Sequence, residues 1–329
     1  MPPDVLMVDD NPNTEVGNRA FSRETPRHYL YAITQAAHHA GLRLRSPSLF
    51  AGPGSAYFTW RPSLKALWLS VAGRLIFLTF GLPERGPGLR RRLARLRFAW
   101  LLARATDVIA MDRRTHRVLK QSQVRGRVHY LPPLVDEAFF ASKAVRSRAV
   151  EMALKEAGWG SRVANSLLVV GDADRDEGFV QAVAERYPII RVRRQAQSVE
   201  ASGNILRLSQ IDYQDLIWLY QNTRCVLVPI AQGTSHAAGM TTVTEALCAG
   251  AQVLSSSRLH SAHFAQVRNF ASTLTPADVF AQLGSHAPAR QKSHVLQQVA
   301  DPMVDVDKAA TKLCAIFNRA GFVQTPSAS

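Results

Sequence analysis

The chain has 329 residues, 47% of them apolar, and a formal net charge of +15. That length accommodates two domains, and the apolar fraction excludes a disordered chain. The charge excludes an acidic solvating protein and draws anionic partners: a lipid surface, nucleic acid or phosphorylated substrates.

Val5–Val8 reads as a buried parallel strand that ends in Asp9 and Asp10. Such a carboxylate pair can hold Mg²⁺ for phosphoryl transfer to a strand-end aspartate about 40–50 residues later. No aspartate lies between Asp10 and Asp107, so that chemistry is excluded. What remains is a pair in the loop at a strand's carboxyl end, where α/β sheets place ligands. A helix is predicted over 26–40, with Thr25 as cap and Pro26 in its first turn. The apolar stretch 64–82 has the length of a membrane span, but Lys65 and Arg74 oppose that reading and Gly73 divides it. It reads as a helix to Ala72 followed by a strand. A long basic helix over 90–105, a strand over 107–112, a helix over 113–122 and a strand over 127–132 complete a first series.

Residues 132–158 read as a join, and a second α/β series follows. Its strands are predicted at 166–172, 189–195, 204–209, 224–230 and 252–257, and its helices at 176–187, 213–223 and 241–250. This alternation predicts parallel α/β architecture in both halves. The halves are set at 1–142 and 143–329. The charge divides with them. Residues 1–145 carry a net +12 and the remainder +3, and 13 basic residues crowd into Arg85–Arg127. No recognition motif or aromatic interleaving accompanies the arginines, so no nucleic-acid partner is expected. The cysteines, Cys225, Cys248 and Cys314, are widely spaced in apolar surroundings and read as buried core thiols of a reducing compartment.

The stretch 216–257 carries the most chemistry. It reads as helix, buried strand, polar loop, helix, strand. Gly239 allows close backbone approach, and the amides of Met240, Thr241 and Thr242 sit at the positive end of a helix, which suits a diphosphate. Glu245 follows as an acceptor for sugar hydroxyls.

This stretch resembles the donor site of the group 1, family 4-like nucleotide-sugar glycosyltransferases of the GT-B fold. The likeness rests on Leu219-Tyr220, the strand 226–228 ending in Pro229, Gly239, Glu245-Ala246-Leu247, Ala249-Gly250 and Val253-Leu254. Residues 167–183, 204–220 and 101–140 resemble flanking parts of such enzymes. The resemblance implies two Rossmann-like domains facing a cleft, with an acceptor bound by the first and a nucleotide-sugar by the second. It implies donor contacts from Gly171, Arg175, Ser209, Ile211, Gly239, Met240, Thr241, Thr242 and Glu245. Asp9, Asp10, His28 and Asp112 are the candidates for aligning or deprotonating the acceptor hydroxyl.

Three departures stand out. A first glutamate of the family would fall near Ala237. The Arg and Lys that relatives carry beside the first donor strand are here Asp172 and Glu177, with Arg175 as the replacement cation. The Gly-rich segment after the last strand is missing. The expectation is a glycosyltransferase using a UDP- or GDP-sugar as co-substrate, with no permanently bound cofactor and no metal. Its acceptor would be a sugar, a lipid-linked sugar or a growing polysaccharide. The protein would be cytoplasmic or peripheral on the inner face of the cytoplasmic membrane, with the basic helix 85–104 lying on anionic lipid. The alternatives are a non-catalytic binding subunit of the same shape and, further off, a nucleotide-sugar epimerase.

Overall fold

A computed structural model describes residues 5–8, 28–46, 56–60, 62–83, 88–122, 124–132, 134–172, 174–193, 199–209, 211–234, 238–285 and 304–319. The chain forms two compact units. One comprises Met1–Leu134 and Val304–Ser329, the other Val135–Thr234 and Ala238–Met303.

The strands are β1 (Val5–Val8), β2 (Arg43–Arg45), β3 (Ala56–Thr59), β4 (Arg74–Thr79), β5 (Asp107–Ala110), β6 (Arg127–Tyr130), β7 (Leu134–Val135), β8 (Leu167–Val170), β9 (Ile189–Arg193), β10 (Glu200–Ser202), β11 (Ile205–Ser209), β12 (Cys225–Val228), β13 (Val253–Ser255), β14 (Phe270–Ser272) and β15 (Val304–Asp305). The helices are α1 (His28–His39), α2 (Leu64–Ala72), α3 (Leu89–Arg104), α4 (Arg113–Gln121), α5 (Glu137–Ala141), α6 (Arg148–Glu156), α7 (Glu177–Ala184), α8 (Tyr213–Asn222), α9 (Met240–Cys248), α10 (Arg258–Phe264), α11 (Pro276–Ser285) and α12 (Val306–Arg319).

In the first unit six strands pair in the order β2-β1-β3-β4-β5-β6, all parallel. Parallel strands buried on both faces need continuous apolar runs, and β3, β4 and β5 have them. The stretch 64–82 divides as its sequence predicts. Ser63 caps α2 by accepting the Ala66 amide at 3.1 Å, and Gly73 ends the helix one residue before β4. On one face of the sheet, α1 packs through Ala32, Ile33, Ala36 and Ala37 against Ala309, Ala310, Leu313 and Phe317 of α12. On the other face, α2 and α3 bury Ala66, Leu69, Phe98 and Leu101.

The boundary differs from the expected 142/143. The chain passes to the second unit at Leu134/Val135, and its last described segment returns to the first unit. The reason is packing. The apolar stripe of α12 requires a small-residue partner, and the alanine face of α1 supplies one.

In the second unit seven strands run in the order β10-β11-β9-β8-β12-β13-β14, parallel except for the β10-β11 hairpin. The order reverses between β8 and β12, the point at which a doubly wound sheet opens a crevice at its carboxyl edge. Cys225 and Cys248 are buried and Cys314 is half-buried. Burial pushes the Cys225 thiol up to about 12.

Candidate functional site

The loops leaving β8 and β12 are tied together at that reversal. The Asp176 amide donates to the Pro229 carbonyl at 3.1 Å, and the Ala231 amide donates to the Asp174 carbonyl at 2.9 Å. Asp176 also caps α7 by accepting the Phe179 amide at 2.9 Å. Between these anchors Arg175 turns inward. Its Nε and Nη2 donate to the Val170 carbonyl at 3.0 and 2.7 Å, and Nη2 donates to the Thr242 hydroxyl at 3.4 Å.

Two glycines make room for this guanidinium. Gly171 has φ +90°, and a Cβ there would come within 3.2 Å of Nη2. Gly239 has φ +75°, and a Cβ there would meet Val228 at 2.9 Å and Nη1 at 3.1 Å. Any side chain at 239 would therefore have to displace the Val228 side chain and press on the arginine. Burial, reinforced by the neighbouring Arg191 charge, pulls the Arg175 pKa down to about 10. Arg175 stays cationic at neutral pH. Gly239 is also the N-cap of α9, so the Met240, Thr241 and Thr242 amides stand at the end of a helix whose first N–H groups have no acceptor within it. A cation, two open turns and a helix N-terminus converge, as an anionic diphosphate requires.

Glu245 lies in the second turn of α9. It is 5% exposed and accepts the Tyr220 hydroxyl at 3.2 Å. Burial, with the Glu245 charge beside it, raises the Tyr220 pKa well above its usual value, so the phenol keeps its proton and donates. Ser209 ends β11 and Ile211 follows it, at the same carboxyl edge.

The acidic replacements at 172 and 177 are each paired with an arginine of β9. Arg193 Nε donates to Asp172 Oδ1 at 2.6 Å, and Arg191 Nη2 donates to Glu177 Oε1 at 2.5 Å. The cations that the resemblance expects on the loop stand instead on the adjacent strand.

Sequence reasoning missed His260. It is fully buried on α10 and bridges two segments. Nε2 lies 2.8 Å from the Ala238 carbonyl and Nδ1 lies 2.7 Å from Ser255 Oγ. A carbonyl only accepts, so Nε2 carries the proton and Ser255 donates to Nδ1. Burial lowers the His260 pKa to about 4, so the ring is neutral at physiological pH. The ring thereby holds the residue immediately before Gly239. A histidine and a serine five apart give no sequence signal of this contact, because the partner Ala238 is 22 residues away.

Of the four acceptor-side candidates, two fall among the described residues. Asp9 and Asp10 lie outside the described residues. His28 opens α1. Asp112 caps α4, its Oδ1 accepting the Thr115 amide at 2.7 Å, and this gives the carboxylate a structural task. Among the described residues no group of three or more His, Cys, Asp or Glu could hold a metal ion.

No protein-family model matches the chain, and no curated protein matches it by sequence. Solved structures do resemble it. Anabaena Alr3699/HepE, solved in complex with UDP and glucose, matches with a TM-score of 0.61 at 12% identity, over 96% of this chain and 99% of that one. The chain has the GT-B fold. An α,α-trehalose 6-phosphate synthase from Burkholderia multivorans matches this GT-B chain with a TM-score of 0.57 at 11% identity, over 93% of it and 77% of that enzyme. A UDP-GlcNAc 2-epimerase from Methanocaldococcus jannaschii matches with a TM-score of 0.51 at 8% identity, over 95% and 99%. At these identities the GT-B likeness carries the fold alone. A synthase and an epimerase both share it.

Proposed function

We propose that this protein is a glycosyltransferase that moves a sugar from a UDP- or GDP-sugar to an acceptor. The observation that carries this reading is Arg175, held between Gly171 and Gly239 beside the N-terminus of α9. In this reading Arg175 and the amides of Met240 to Thr242 grip the diphosphate and offset the charge that grows on it as the sugar–phosphate bond breaks. Glu245 accepts from the ribose hydroxyls, and Ser209 and Ile211 border the base. Glu245 accepts from Tyr220, and that contact orients its carboxylate.

The acceptor, a lipid-linked sugar or a growing polysaccharide, belongs to the basic first unit at the inner face of the cytoplasmic membrane. Asp9, Asp10, His28 and Asp112 remain the candidates for activating its hydroxyl. A carboxylate or imidazole within hydrogen-bond reach of that hydroxyl would remove its proton as the new glycosidic bond forms.

Calorimetric titration with UDP- and GDP-sugars tests the donor site. One of them binds the wild-type protein. Arg175→Met weakens it by about ten- to hundredfold, the loss of one charge-assisted hydrogen-bonding group. Glu245→Gln weakens it to a lesser extent, because the amide still accepts through one oxygen. Equal affinity in wild type and Arg175→Met would remove the assignment. Donor binding without release of nucleoside diphosphate, whatever acceptor is supplied, would favour the non-catalytic subunit.

A further inference from the structure

Helices α2 and α3 each carry two apolar stripes, one buried in the fold and one exposed. On α3 the inward side is Phe98 and Leu101, both buried. About half a turn away lie Leu89, Leu93, Leu96 and Trp100, spaced four, three and four residues apart and therefore on one line. All four are exposed, Leu89 by 72% and Leu96 by 66%. On α2 the inward side is Ala66 and Leu69. Opposite them, again at helical spacing, Leu64, Trp68 and Val71 are 69%, 61% and 59% exposed. The two helices pack side by side, and Trp100 Nε1 donates to Ser70 Oγ at 3.3 Å. The outward stripes thus belong to one face of one unit.

The charged residues of these two helices have a single sign. Arg90, Arg97 and Arg104 flank the α3 stripe on one side, and Arg92 on the other, by their positions around the helix. Lys65 adds a cation on α2. Neither helix contains an aspartate or glutamate. Large apolar groups, two indoles among them, on helices that carry arginine and no carboxylate of their own, match the interfacial zone of an anionic bilayer. There the apolar groups enter the headgroup–acyl boundary, the indoles sit at headgroup depth and the guanidinium groups meet lipid phosphates. A protein surface would have to be apolar and acidic at once.

We propose that the outward face of α2 and α3 is a docking surface for an anionic lipid bilayer, with Trp68 and Trp100 as its interfacial anchors. This deepens the acceptor side of the proposed function, yet it is measured without donor or acceptor, so either can fail alone. Within the basic helix it excludes Phe98 and Leu101, which belong to the core, and it adds the α2 stripe.

The test is co-sedimentation of the full chain with phosphatidylcholine vesicles, with and without phosphatidylglycerol. Binding is expected on the anionic vesicles only, falling at least tenfold between about 50 mM and about 500 mM NaCl as screening shortens the reach of the charges. A Leu64→Ser/Trp68→Ser/Val71→Ser variant, checked for an unchanged melting temperature, is expected to bind about tenfold or more weakly at low salt. Blue-shifted tryptophan emission on anionic vesicles, reduced in Trp68→Phe, is the second readout and requires no triple variant. Equal binding of the triple variant would show that only diffuse charge is at work and would overturn the proposal. So would equal binding to neutral vesicles, or none to either. A concentration-dependent dimer that the same substitutions abolish, without vesicle binding, would assign the face to a second copy of the chain and reject lipid.

Discussion

The two units bury their chemistry differently. In the second, polar groups are drawn inside: Arg175 between two glycine turns, Glu245 against Tyr220, and His260 between Ser255 and Ala238. In the first, the α2–α3 side of the sheet buries Tyr57, Phe77 and Phe98, while arginines and a second set of apolar groups face outward. An internal polar network must satisfy each of its members, which fixes geometry and selects one ligand shape. An external stripe of charge and apolar area fixes little geometry and suits a surface that has none of its own.

Phe98 gives the contrast its largest expected effect. It is 8% exposed and meets Phe77 edge to face, with ring centroids 5.3 Å apart. Phe98→Ala is expected to cost about 3–5 kcal/mol in chemical denaturation. A cost near zero would mean that α3 is only loosely seated.

Acid comes next. The folded-state pKa of His260 is about 4, below the usual value of 6.5, so the unfolded chain takes up this proton first. The stability that His260 contributes is complete above about pH 6.5 and is lost as pH falls towards 4, by on the order of 3 kcal/mol. Urea unfolding from pH 7 to 4 is expected to show the wild-type advantage over His260→Gln shrinking across that window. A constant difference would mean that the imidazole is not confined between Ser255 and Ala238.

The smallest effect is expected two residues from Phe98. Leu96 is 66% exposed, and Leu96→Ser is expected to change stability by less than about 0.5 kcal/mol. A loss comparable to that of Phe98→Ala would erase the distinction between the two stripes of one helix.

Much of the architecture was legible along the chain. Gly73 and Arg74 split the long apolar stretch because a glycine ends a helix cheaply and a cation resists a bilayer. The glycines at 171 and 239 marked tight turns because a left-handed backbone there favours an unsubstituted Cα. Arg175 was legible as a cation near them, but not as the group that fills the space they leave. Glu245 was legible as a carboxylate on the right helix. Its inward turn depends on Tyr220, and 25 residues of separation hide that contact. On α3 periodicity misleads. The exposed line Leu89, Leu93, Leu96, Trp100 is more regular than the buried pair Phe98 and Leu101, and a hydrophobic period has no sign to say which stripe faces the sheet. The unit boundary was hidden for a related reason, because α12 looks like any amphipathic helix until the alanines of α1 claim it.

That last packing has a consequence in time. The helix that closes the first core is the last described element to leave the ribosome. Chains commonly fold from the amino end as they emerge. Here the first unit must wait, with Ile33 and the alanine face of α1 uncovered, while the whole of the second unit is synthesised. Completion of the first unit therefore waits for synthesis of the second, and a product cut short before Val304 would lack the surface that hides its own oldest core.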